Sequence, residues 1–156
     1  MKKLWRFIGK ASFWVSLPLL YVYLRIGRRT RVFIRCDDEL LVVRAWLGTD
    51  SWIFPGGGLH RGEVPAVGAV REVYEETGIQ LDPADLTFLF ERTVSTPQKL
   101  SFRCIAYAIY LLEKPKLKPA SGEITAIEWR SIDELCLQRS AEQLLKPALK
   151  AWDKLS

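Results

Sequence analysis

Residues Gly57 to Ile79, GGLHRGEVPAVGAVREVYEETGI, constrain this chain more than any other stretch. Gly57, Glu63, Arg71-Glu72, Glu75-Glu76 and Gly78-Ile79 mark it out. Pro65 suits the first turn of a helix, where a missing N–H costs nothing, and Gly78 suits the residue just past its end. Between them Val67, Val70, Tyr74 and Thr77 recur at spacings of three and four, which predicts that they share the face packed on the core. Glu72, Glu75 and Glu76 then lie within one turn of each other on the other side. Carboxylates packed so closely repel unless something positive sits among them. Arg71 reaches Glu75 four residues on, but one arginine does not balance four carboxylates once Glu63 is counted. Hard divalent cations take oxygen ligands, and Mg²⁺ typically bridges protein carboxylates to substrate phosphates. The run Pro55-Gly56-Gly57-Gly58 lets the backbone approach such a site and lend it a carbonyl. The alternative, a solvated acidic helix, does not explain why the glycines and Glu63 fall in register with the later charges.

The flanking chain predicts the scaffold. Thr30 to Arg35 and Leu40 to Ala45 are short β-branched or aliphatic runs joined by Cys36-Asp37-Asp38-Glu39, a hairpin pattern. Trp52-Ile53-Phe54 reads as a third strand ended by Pro55-Gly56. Leu86 to Val94, Phe102 to Leu112 and Ile124 to Trp129 read as later strands. Ser131 and Glu134 form a capping box for a short helix, and Ser140 to Gln143 open another that Pro147 should kink or split. Strands, a helix, more strands and more helices describe an α/β chain, with a mixed sheet between helices in an α/β/α sandwich. Trp52 and Trp129 belong to its core on this reading.

The segment from Gly57 resembles the signature of the Nudix hydrolases, Gly-x5-Glu-x7-Arg-Glu-U-x-Glu-Glu-x-Gly-U with U aliphatic, and matches it at every fixed position. The resemblance implies a Nudix-type fold and metal-dependent hydrolysis of a nucleoside diphosphate linked to another group, with Mg²⁺ as the cofactor and Mn²⁺ as a substitute. It implies that Glu72 is the general base or a metal ligand, that Glu75 and Glu76 bind metal, and that Arg71 orients the glutamates. Glu72, Glu75 and Arg71 are the expected catalytic residues. The carbonyl of Gly56 or Gly57 often completes the coordination in the family, and Glu123 or Glu128 stands where some relatives add a ligand. Arg44, Trp46, Arg92, Lys99 and Arg103 are candidates to line a cleft, arginines meeting phosphate and an aromatic ring stacking a base. His60 falls at a position the signature leaves variable; an exposed loop residue or a phosphate contact is expected. A competing reading, a nucleotide sensor or adaptor without hydrolysis, conflicts with the complete glutamate set.

Charge separates the chain into two parts. Residues 1 to 35 hold nine basic residues and no acid, and the remaining 121 hold 14 basic against 18 acidic, a net −4. A nucleic-acid-binding face on the domain is therefore not expected. Residues 1–29 form a basic, apolar arm ahead of a domain over 30–156. Ala11 to Leu24 is almost wholly apolar, and its 14 residues as a helix reach about 21 Å, short of the roughly 30 Å of hydrocarbon core. A signal peptide shares the basic start, but no small-residue cleavage site follows it. The arm fits a membrane-surface helix, or a segment packed on the domain or on a second copy in a homodimer. Cys36, Cys104 and Cys136 are odd in number and widely spaced, which makes neither a disulfide framework nor a zinc site. A reducing, cytoplasmic setting is expected, with association at the inner face of a membrane as the arm's alternative.

Overall fold

A computed structural model describes residues 27–45, 51–95, 101–118 and 123–154. The arm up to residue 26, Trp46, Lys99 and the membrane and dimer contacts assigned to the arm lie outside them. Strands β1 (Arg28–Cys36) and β2 (Glu39–Ala45) are followed by helix α1 (Pro65–Thr77) and a 3₁₀ turn at Pro83–Asp85. Then come β3 (Thr87–Ser95), β4 (Ser101–Tyr110), β5 (Ile124–Ser131), α2 (Ile132–Cys136) and α3 (Arg139–Trp152). The sheet runs β3-β4-β1-β2-β5. β1 and β4 are parallel and the other pairs antiparallel, so the sheet is mixed.

Alternation along the strands makes two cores. Phe33, Leu40, Val42, Cys104, Ala106 and Ala108 meet Leu135, Leu144, Leu145 and Ala148 of α2 and α3 on one face. Val32, Ile34, Leu41, Ile105 and Tyr107 meet Ala69 and Val73 of α1 on the other. The result is the expected α/β/α sandwich. None of the described helices is long and apolar enough to cross a membrane.

One irregularity in the sheet positions the site. β1 and β2 pair only beside their turn, at Arg35–Leu40 and Cys36–Glu39. Asp37 makes that turn with φ of 53°, which aspartate tolerates better than most side chains. Beyond it the strands part, and the segment from Ile53 to Leu59 fills the opening. Ile53 exchanges bonds of 2.9 and 3.0 Å with Val43, Val32 N–H reaches Pro55 O at 2.8 Å, and Thr30 N–H reaches Gly57 O at 2.8 Å. The expected third strand at Trp52–Phe54 is therefore a single bridge leading into a strap along β1. The strap's backbone needs are met by two strands in turn, so no regular ladder forms.

Two expectations about the helices change. The buried face of α1 is Gly68, Ala69, Val73 and Thr77, whereas Val67 and Tyr74 stand in solvent. Spacing alone does not set the phase of an apolar stripe. The close approach of helix to strap does, and it selects small residues: a Cβ on Gly68 would overlap Leu59 and Glu63. Pro147 does not break α3, which runs through it from Arg139 to Trp152. Proline leaves the carbonyl four residues back without its helical donor. Here that carbonyl is Gln143 O, and Arg92 Nη1 on β3 donates to it at 3.4 Å.

Candidate active site

Arg71 leaves α1 toward the strap and holds four groups. Its Nε and Nη2 grip Glu63 through two 3.0 Å bonds, and Nη2 also donates to Gly58 O at 3.0 Å. Nη1 donates to Glu72 at 2.9 Å and to Glu75 at 3.4 Å. The planar fork of guanidinium allows this; an ammonium would not span the same set. Hydrogen bonding to Arg71 is the main reason that the Glu63 carboxyl is lowered to about 2, and the His60 N–H, 2.8 Å from Glu63 Oε2, adds to it. The same bonds raise Arg71 above the ordinary arginine range. Arg71 and Glu63 thus anchor the loop entering α1, and the same guanidinium holds Glu72 and Glu75.

Glu76 has a different setting. It accepts from Gly56 N–H at 2.8 Å, and burial pushes its carboxyl up to about 7 against the pull of nearby Arg31. The negative charges of Glu72 and Glu123 push the same way. Arg31, itself only 8% exposed, donates to Gly56 O and, at 3.1 Å, to Thr30 O. Two glycines make the strap fit. Gly56 has φ of 131°, and a Cβ there would meet the Thr30 carbonyl. A Cβ on Gly57 would overlap the Glu72 carboxylate, so the space beside that backbone belongs to Glu72.

In this conformation no three of the described His, Cys, Asp or Glu residues are drawn together as a metal site. The donor set nevertheless suits a hard cation. Glu72, Glu75 and Glu76 share one turn, and burial, with a smaller push from the charges of Glu72 and Glu123, holds the Glu76 carboxyl up to about 7. Gly57 O already accepts from Thr30 N–H, which leaves it one lone pair.

The remaining candidates scatter. Of the two later glutamates, Glu123 acts on Glu76, while Glu128 pairs with Arg130 at 2.8 Å on the other face. Arg103 of β4 faces the α1 side, where it and Arg28 both pair with Glu91, at 3.0 and 3.3 Å. Arg44 instead stacks over Trp52, 4.3 Å from the ring centroid, and Trp52 belongs to the core beneath α3. Arg92 is committed to Gln143 on that same side. Neither arginine is brought to the glutamates, because strand alternation sends their side chains through the other face. His60 is exposed, 3.9 Å from Glu63. Arg31 and Arg28 are the residues that reading the sequence missed, having been counted with the basic arm. A cation inside the apolar run Thr30 to Ile34 was the available signal for Arg31.

Comparison with known proteins agrees with this fold. The NUDIX domain matches residues 26–152. A MutT-like protein of Streptomyces ambofaciens is 36% identical over 124 residues, 78% of this chain and 73% of that protein. A human diphosphoinositol polyphosphate phosphohydrolase is 35% identical over 96 residues; the match covers 58% of this chain and 51% of that protein, about half its length. Among solved structures, a C. elegans Ap4A hydrolase superposes with a TM-score of 0.67 at 18% identity, over 84% of this chain and all of that one. The NUDIX domain of Shewanella oneidensis NrtR, complexed with ADP ribose, gives 0.67 at 13% identity over 83% and 88% of the two chains. The chain belongs to the Nudix hydrolase family.

Proposed function

We propose that this protein is a Mg²⁺-dependent pyrophosphohydrolase that cleaves a nucleoside diphosphate linked to another group, by attack of water on phosphorus. The observation that carries the reading is the turn of Glu72, Glu75 and Glu76 packed against a glycine strap, with Glu123 acting on the same cluster. Mn²⁺ would serve in place of Mg²⁺. A family of divalent-metal-dependent hydrolases and relatives named for diphosphoinositol polyphosphate, Ap4A and ADP ribose support it; all of these carry phosphoanhydride bonds.

Glu72, Glu75, Glu76 and Glu123 would hold the metal, with Gly57 O available through its second lone pair. When bound, Mg²⁺ supplies charge neutralisation at the phosphate oxygens and makes a water easier to deprotonate. Glu72, held in register by Arg71, takes the proton of the attacking water. Arg71 keeps Glu72 and Glu75 from swinging apart. Arg103, with Arg28 beside it, offers guanidinium donors to a distal phosphate from the α1 face. Trp46 is retained as the candidate for base stacking.

The test is release of phosphate or nucleoside monophosphate from nucleoside triphosphates, ADP-ribose, dinucleoside polyphosphates and diphosphoinositol polyphosphates. Activity is expected with Mg²⁺ or Mn²⁺ and none with EDTA. Glu72→Gln and Glu76→Gln are each expected to lower kcat by about 10²-fold or more in a folded protein. A loss below about tenfold in both variants would remove the assignment.

A further inference from the structure

Arg31 is a cation inside the apolar run Thr30 to Ile34, and it is only 8% exposed. Taking a charge out of water is costly unless polar groups compensate it. No carboxylate among the described residues forms an ion pair with it. The register of the strap on β1 shows what it meets instead. Thr30 N–H bonds to Gly57 O and Val32 N–H to Pro55 O, each at 2.8 Å, and Leu59 N–H bonds to Arg28 O at 3.0 Å. Arg31 therefore stands opposite Gly56, at the kind of antiparallel pair that exchanges no backbone bonds. Gly56 is buried, so both of its polar groups need other partners. Its N–H donates to Glu76 Oε2 at 2.8 Å. Its O accepts from Arg31 Nη1, which also donates to Thr30 O at 3.1 Å.

We infer that Arg31 is a positioning residue for the metal-binding turn: by holding Gly56 O, it keeps Gly56 N–H on Glu76 and Gly57 beside the Glu72 carboxylate. The assignment rests on the metal role proposed for Glu72 and Glu76. Gly56 has φ of 131° and no room for a Cβ beside the Thr30 carbonyl, so no side chain of its own can pin it. A bond from a charged donor is stronger than one between neutral groups, which suits a buried carbonyl. Without Arg31, Gly56 O is a buried acceptor lacking a donor, and the strap shifts until another donor or water meets it. Such a shift takes the N–H from Glu76 or brings the strap against Glu72, because Gly57 has no space to spare there. The Arg31 charge also draws Glu76 toward its ionised form.

The test uses Arg31→Met, which keeps the bulk, and Arg31→Lys, which keeps the charge without the fork, in the full chain. Without metal, the Gly56 amide is expected to exchange at least about tenfold faster in Arg31→Met, with the amides of β4 unchanged. Mn²⁺ binding without substrate, followed by electron paramagnetic resonance, is expected to weaken by about 10–100-fold in Arg31→Met and by less in Arg31→Lys. The Mg²⁺ concentration for half-maximal rate should rise in parallel, while KM at saturating Mg²⁺ stays within about threefold. Unchanged Gly56 exchange or unchanged Mn²⁺ affinity overturns the inference. A KM that rises with Mn²⁺ affinity unchanged would make Arg31 a substrate ligand and overturn it too, as would faster exchange spread through β4, the mark of a merely structural role. Should Arg31→Met not fold, Arg31→Gln is read by the same two binding and exchange measurements. Gly56 exchange needs neither metal nor substrate, so it separates a failure of this inference from a failure of the hydrolase reading, which would show as a parent chain without Mg²⁺-dependent phosphate release.

Discussion

At the scale of single residues, the strap and the glutamates share one small volume. Gly57 leaves room for the Glu72 carboxylate and for no Cβ. Its backbone is not in the left-handed region, so alanine is conformationally allowed and the damage falls on Glu72. Gly57→Ala should lower kcat by about tenfold to a hundredfold, as expected for a displaced catalytic group, while Tm moves by no more than about 2–4 °C. Steady-state kinetics beside thermal unfolding separates the two effects. Glu63 offers a pH test. Its folded pKa of about 2 lies below the ordinary 4.5, so its bond to Arg71 contributes full stability above pH 4.5 and loses it as pH falls toward 2. Glu63→Gln should therefore cost about 1–2 kcal/mol at pH 7, a difference that shrinks below pH 4.5 and vanishes below pH 2. Denaturant titrations at three pH values measure it, and a difference constant with pH would show that Glu63 acts through packing instead.

At the scale of elements, α3 carries a proline that the sheet has answered. Arg92 donates to Gln143 O, the acceptor that Pro147 leaves without a backbone partner. Pro147→Ala should restore the helical bond and raise stability by about 1–2 kcal/mol. Arg92→Ala should then cost less in that background than in the parent chain, a coupling of about 0.5 kcal/mol or more. Additive effects would argue against the pairing. The same contact explains why Arg92, plausible for phosphate as a sequence letter, is not at the glutamates. Sequence spacing identifies a strand but not which face meets which helix, and β3 gives its Arg92 side to α3. Helix α1 shows the complementary limit. Its ends are legible because Pro65 and Gly78 are local signals, whereas its phase depends on how near the strap must come.

At the scale of the whole molecule, the two-sided sheet brings remote segments to one end. Arg31 from β1, the strap at Gly56–Gly58, Glu72 and Glu76 of α1 and Glu123 before β5 act on one another where β1 and β2 separate. Removing metal tests that convergence as a unit. Saturating Mg²⁺ should raise Tm by about 5 °C through preferential binding to the folded state, and Glu76→Gln should reduce the rise by half or more. Equal shifts in both proteins would place the ion away from this cluster.

The family of the chain was legible in sequence because its signature resides in one local segment. A helix turn with three glutamates and one arginine, entered from glycines, is specified by neighbours within 23 residues. The order of strands, the gap between β1 and β2, the burial of Arg31 and the nearness of Glu123 rather than Glu128 to Glu76 depend on residues far apart in the chain. Those were decided by tertiary packing. The physical reason is one of range: helix caps and charge spacing act over a few residues, whereas desolvation and the face presented to a core exist only once the sheet has closed over its helices.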